Sequence, residues 1–123
     1  MTFRLANLPV AYKDSALVAN RKGDGSMPTY ITLYKLTKQG AQNIKDAPER
    51  IEKGIKAFEG IGGKIVGFYA TMGEYDYVAI GEAPNDEIAM TFMLGQVSLG
   101  NVKTTTMKAF STEAFAEMVK KLP

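Results

Sequence analysis

Residues 64–82 read KIVGFYATMGEYDYVAIGE, and their pattern decides the fold. Two runs rich in β-branched and aromatic residues flank a glycine-bearing turn, as in an antiparallel hairpin. Lys64 to Met72 is expected to form one strand and Asp76 to Glu82 the next, joined by Gly73, Glu74 and Tyr75. Gly73 supplies the positive φ that a tight turn needs. A three-residue loop sets Met72 opposite Asp76 and keeps the even positions of both strands on one side. A two-residue loop would set Met72 opposite Tyr75 and mix the sets. The longer loop is the expectation.

Toward the N-terminus, Thr29 to Leu36 contains the β-rich run Tyr30-Ile31-Thr32-Leu33-Tyr34 and predicts a strand. Between it and the hairpin, Ile44, Pro48, Ile51, Ile55 and Phe58 form one apolar helical stripe. Proline is tolerated only in a first turn, so Asp46 is expected as N-cap, with Glu49 completing a capping box. Gly60, Gly62 and Gly63 stop this helix. Gly60-Ile61-Gly62-Gly63-Lys64 follows a helix and precedes a strand, the reverse of a phosphate loop.

Beyond the hairpin, Asn85 or Asp86 caps a second helix whose inner side holds Ile88, Ala89, Phe92, Met93 and Gln96. Gly100-Asn101 ends it. Val102 to Phe110 predicts a fourth strand, and Ser111 or Thr112 caps a closing helix with Phe115, Val119 and Leu122 as its stripe. The order β-α-β-β-α-β plus a C-terminal helix implies an α+β, ferredoxin-like domain. Right-handed crossovers put the helices on one face of a four-stranded antiparallel sheet.

Alternation then sorts the side chains. Ile31 and Leu33, with the even positions of the hairpin strands (Val66, Phe68, Val78, Ile80), are expected under the helices. The opposite face would carry Tyr30, Tyr34, Tyr69, Tyr77, Thr104, Thr106 and Lys108. Tyrosine is enriched at interfaces, so this second face is expected to be covered by another copy of the chain, or to line a ligand pocket through its hydroxyls. Plain Tyr–Thr pairing on a wet face is the alternative.

Arg21-Lys22-Gly23-Asp24-Gly25-Ser26 has linker composition and separates residues 1–26 from a domain spanning 27–123. The first segment is expected to be a flexible N-terminal extension, or the product of a start codon upstream of a true start at Met27. Alternatively it docks on a partner subunit through Phe3, Leu5, Leu8 and Tyr12. It carries the whole net charge of +2, because residues 27–123 hold 11 basic and 11 acidic residues. A neutral body lacks the electrostatic footprint of a nucleic-acid binder. With neither cysteine nor histidine present, thiol catalysis, disulfides and the commonest metal ligands are absent. Met90, Met93 and Met107 are core filler. No metal or cofactor is expected, no apolar run has the length of a membrane span, and a cytoplasmic location follows as the default.

The motifs Thr71-Met72-Gly73-Glu74-Tyr75-Asp76-Tyr77-Val78, Met27-Pro28-Thr29-Tyr30-Ile31, Asn43-Ile44-Lys45-Asp46 and Ser98-Leu99-Gly100-Asn101-Val102-Lys103-Thr104-Thr105-Thr106 together resemble the GYD domain family. Its glycine, tyrosine and aspartate match Gly73, Tyr75 and Asp76. The resemblance covers roughly residues 27–122 and implies a small bacterial or archaeal protein of the dimeric α/β-barrel group, without an established activity. The hairpin is also similar to a turn in the effector-binding domain of leucine-responsive regulators, which implies assembly through the sheet and small-molecule sensing. Residues 1–26 lack the pattern of the helix-turn-helix those regulators carry.

Two functional expectations follow. The first is a homo-oligomer assembled through its open sheet face, binding a small organic ligand. The second is a cofactor-independent enzyme of oxygenase or isomerase type, with Asp76 as general base and Tyr75 as polarising donor in a barrel pocket. On a purely structural footing, Asp76 instead accepts hydrogen bonds from turn amides or from backbone near the first strand.

Overall fold

The structure, a computed structural model, describes residues 27–123; the expected N-terminal extension lies outside the described residues. Strand β1 (Thr29–Leu36) leads into a short helix α1 (Lys38–Gln42), a 3-10 turn (Ile44–Asp46) and helix α2 (Ala47–Gly60). The hairpin strands are β2 (Lys64–Ala70) and β3 (Tyr77–Glu82). Helix α3 (Asp86–Ser98), strand β4 (Val102–Ala109) and helix α4 (Thr112–Lys120) complete the domain. The sheet order is β2-β3-β1-β4, with every neighbouring pair antiparallel, which is the expected ferredoxin-like arrangement.

Local signals act where they were expected. The Asn85 side chain accepts the Ile88 amide at 2.9 Å, and Ser111 Oγ accepts the Ala114 amide at 3.0 Å. Gly62, Gly73 and Gly100 adopt positive φ. Asp46 does precede α2, and Pro48 stands in its first turn, but the Asp46 carboxylate makes no capping bond. The 3-10 turn runs straight into the helix and keeps Asp46 helical, at φ −90° and ψ −1°.

The expected assignment of the two sheet faces is overturned. Tyr30, Thr32 and Tyr34 of β1 share a face with Tyr77 and Ala79 of β3 and with Thr104, Thr106 and Lys108 of β4. That face lies under the helices: Tyr30 packs in one core with Phe58 of α2, Ala89 and Phe92 of α3, and Ile65 of β2. Ile31, Leu33, Val78, Ile80 and Met107 turn the other way. The centre of the open face is therefore aliphatic, with Tyr69 and Thr105 beside it, while Tyr30, Tyr34 and Tyr77 line the inside.

Two causes act together. The hairpin loop is one residue longer than expected: the Thr71 amide donates to the Asp76 carbonyl at 2.9 Å, and Ala70 stands opposite Tyr77. A slip of one residue moves a strand's side chains to the other face. Phe68 thus sits beside Ala79 rather than Ile80. A bulge between Ile65 and Gly67 returns Ile65 to the helix side as well. The second cause is volume. The helices contribute small residues at their sheet-facing positions, with Ala47 and Ala89 both buried, so large rings from the sheet fill the gap.

Candidate functional site

The hairpin turn is a clamp on the end of β1. Gly73, at φ +105°, lets the chain reverse. The Asp76 amide donates to the Tyr34 carbonyl at 2.8 Å, and Asp76 Oδ2 accepts the Leu36 amide at 2.8 Å. The Lys35 ammonium lies 5.6 Å from the centre of the Tyr75 ring and 3.6 Å from a Glu74 carboxylate oxygen. Of the two catalytic candidates, Asp76 has its carboxylate engaged by backbone, and Tyr75 is stacked beneath a lysine.

The ligand-binding candidates fall into three places. Tyr34 and Tyr77 line a cleft of about 290 Å³ between α2, α3 and the sheet. Its floor is a cluster of Tyr34, Phe68 and Tyr77 rings, with centroids 5.6–6.1 Å apart. Phe58 and Phe92 close one end of the gap, at 4.9 Å between centroids. Burial pushes the Tyr34 phenol up to about 12, so the group stays protonated at neutral pH.

Tyr30, Thr104, Thr106 and Lys108 line a second groove, of about 410 Å³, between α3 and β4. There the Tyr30 hydroxyl donates to Asp86 Oδ1, and the Lys108 ammonium stands 3.0 Å from the same oxygen. Burial, then the Asp86 hydrogen bond, holds the Tyr30 phenol above its usual range. That hydrogen bond, followed by the one from Lys108, holds the Asp86 carboxyl below the usual carboxylate range. Tyr69 joins neither site. The shifted register puts it beside Val78, with its ring over Gly67, on the open face.

The family model described as GYD domain matches residues 30–119. This chain belongs to the GYD domain family. Its GYD tripartite motif, Gly73, Tyr75 and Asp76, is the β1 clamp just described. A curated relative from Thermus thermophilus, named glutamine synthetase and cystathionine beta-lyase binding protein, is 39% identical over 84 residues. The match covers 68% of this chain and 88% of that relative. No solved structure matches.

The GYD domain holds a second clamp that sequence reasoning missed. Thr37 caps α1 by accepting the Gly40 amide at 3.1 Å, while its hydroxyl donates to the Gly100 carbonyl at 2.6 Å. Gln39 Nε2 donates to the Leu99 carbonyl and to Asn101 Oδ1, both at 3.0 Å. The signal available was Thr37-x-x-Gly40, a local side-chain cap after a strand. Asp86, seen only as a possible helix cap, was missed as the partner of Tyr30 and Lys108. No helix among the described residues is long and apolar enough to cross a membrane.

Proposed function

We propose that this GYD protein is a small homo-oligomeric binding protein, which pairs with a second copy through its open sheet face and docks on a metabolic enzyme. The observation that carries the pairing is the aliphatic face: Ile31 and Leu33 stand directly opposite Ile80 and Val78 on the two central strands, with Met107 beside them. These five form an uninterrupted apolar patch, with Lys35 and Lys103 opposite each other on the same face beyond Leu33, so two copies laid face to face meet apolar on apolar at the centre and keep the lysines at the edge. Sheet-on-sheet packing suits short aliphatic side chains, which interdigitate across the layer.

The partner class rests on the Thermus thermophilus relative, whose name describes binding to glutamine synthetase and cystathionine beta-lyase. The Asp76–Leu36 hydrogen bond supports a binding protein over an enzyme that uses Asp76 as general base, because the carboxylate is engaged in holding β1. Native mass spectrometry is expected to give a mass of at least two chains, and calorimetry is expected to detect saturable binding to glutamine synthetase of the same host. A monomer at micromolar concentration overturns the pairing. A null titration with both glutamine synthetase and cystathionine beta-lyase overturns the partner class.

A further inference from the structure

The cleft between α2 and α3 encloses about 290 Å³. Gly54 lines it from the middle of α2, where glycine costs roughly 0.5–1 kcal/mol relative to alanine. A Cβ at that position would meet only Gln96 Oε1, at 3.5 Å, an ordinary contact. Packing does not demand glycine there. Its effect is to keep the cleft open above the Tyr34, Phe68 and Tyr77 rings.

Besides Arg50, Lys53, Gln96 and Asn101, two tyrosines bring polar groups to this otherwise apolar lining. Tyr34 and Tyr77 make ring contacts with Phe68 and with each other, and among the described residues neither hydroxyl has a hydrogen-bond partner. Tyr77 is only 8% exposed. Buried polar groups are ordinarily paired, so unpaired hydroxyls at a cavity are what a bound ligand would satisfy. The Gln96 amide lines the same cleft.

We infer that this cleft is a binding site for a planar conjugated molecule of two or three fused rings, carrying a carbonyl-type oxygen that accepts from Tyr34 and Tyr77. The ring floor offers stacked and edge contacts to a flat π-system. Each phenol O–H left without a partner can donate, and an acceptor oxygen on the ligand is the simplest group that both hydroxyls can share. Ile51 and Ile55 of α2 and Phe92 of α3 complete an apolar wall. The site lies on the helix side of the sheet, so it stands or falls independently of pairing through the opposite face.

The test uses 9-fluorenone, its carbonyl-free counterpart fluorene, and decanoate as an aliphatic competitor, titrated into the full chain by NMR with oligomeric state checked in the same samples. Expected is saturable binding of fluorenone, about tenfold tighter than fluorene, as loss of one or two hydrogen bonds implies. The Tyr34→Phe/Tyr77→Phe variant should bind fluorenone no better than fluorene. Gly54→Leu, which fills the cleft, should abolish both. If Gly54→Leu does not fold by circular dichroism, the double tyrosine variant decides. Absence of saturation, equal affinity for fluorenone and fluorene, tighter binding of decanoate, or shifts confined to α4 or the open sheet face would each overturn the assignment. A change in ligand binding with unchanged mass, or the reverse, separates this site from the pairing face.

Discussion

Asp76 holds Leu36 across the end of the sheet, its carboxylate accepting the Leu36 amide at 2.8 Å while its own amide serves the Tyr34 carbonyl. The aspartate of the family motif thus fixes where β1 ends and α1 begins. Asp76→Ala leaves the Leu36 amide unpaired and is expected to cost about 1–3 kcal/mol in urea unfolding. Asp76→Asn keeps an acceptor oxygen and should lose less than half of that. If both variants unfold like wild type, the clamp contributes nothing.

Two glycines predict effects of opposite sign. A Cβ on Gly40 would stand 2.1 Å from the Asn101 carbonyl oxygen, a backbone atom that cannot move aside without opening the second clamp. Gly40→Ala is expected to destabilise by roughly 1–3 kcal/mol, as overpacking does. Gly54→Ala should stabilise by up to ~1 kcal/mol through helix propensity. Denaturant midpoints of the two variants should move in opposite directions; equal shifts would contradict the packing described for both.

Pairing through the open face makes a further prediction. Leu33→Lys and Ile80→Lys each place an ammonium within the proposed sheet-to-sheet layer, where unpaired charge costs several kcal/mol. The dimer dissociation constant should rise by roughly 100-fold or more, equivalent to about 2.7 kcal/mol. Phe115→Lys is the control, since Phe115 is 62% exposed on α4 and is not one of the five residues of that layer. Sedimentation in which only Phe115→Lys dissociates would move the interface to α4.

Short-range features were legible in the sequence because their causes are local. Asn85, Ser111 and Gly73 each act on backbone within a few residues; the turn glycine is legible outright, and each cap is one of two adjacent candidates. The faces were not legible, for a physical reason. One parity set is aliphatic and the other is built of tyrosines and threonines, and tyrosine rings suit a core as well as an interface, so alternation shows that two faces exist without saying which lies under the helices. The small residues Ala47, Gly54 and Ala89 on the helices were the usable signal: they leave room for tyrosine rings. Of the candidate site, Tyr30, Tyr34, Tyr77, Thr104, Thr106 and Lys108 do share one face, whereas the one-residue slip removed Tyr69. The cluster of Tyr30, Asp86 and Lys108 joins side chains 56 and 22 positions apart, a distance no local pattern spans.

Glu82 carries the pH-dependent prediction. It is 4% exposed at the end of β3, opposite Lys64 and Thr29. Burial holds its carboxyl above the usual range, and the Lys64 charge offsets only part of this. A carboxyl with a raised folded pKa keeps its proton longer in the native state than in the unfolded chain. As pH rises from the unfolded value through the folded one, the unfolded chain ionises first, and stability is lost. Glu82→Gln removes the ionisation at nearly constant shape, so it should melt higher than wild type at neutral pH. The advantage should vanish below about pH 4, where an ordinary glutamate is also protonated. Thermal unfolding across the acid-to-neutral range checks both halves. A gain that persists at low pH would trace to packing rather than charge, and no gain at neutral pH would mean that Lys64 fully compensates the buried carboxylate.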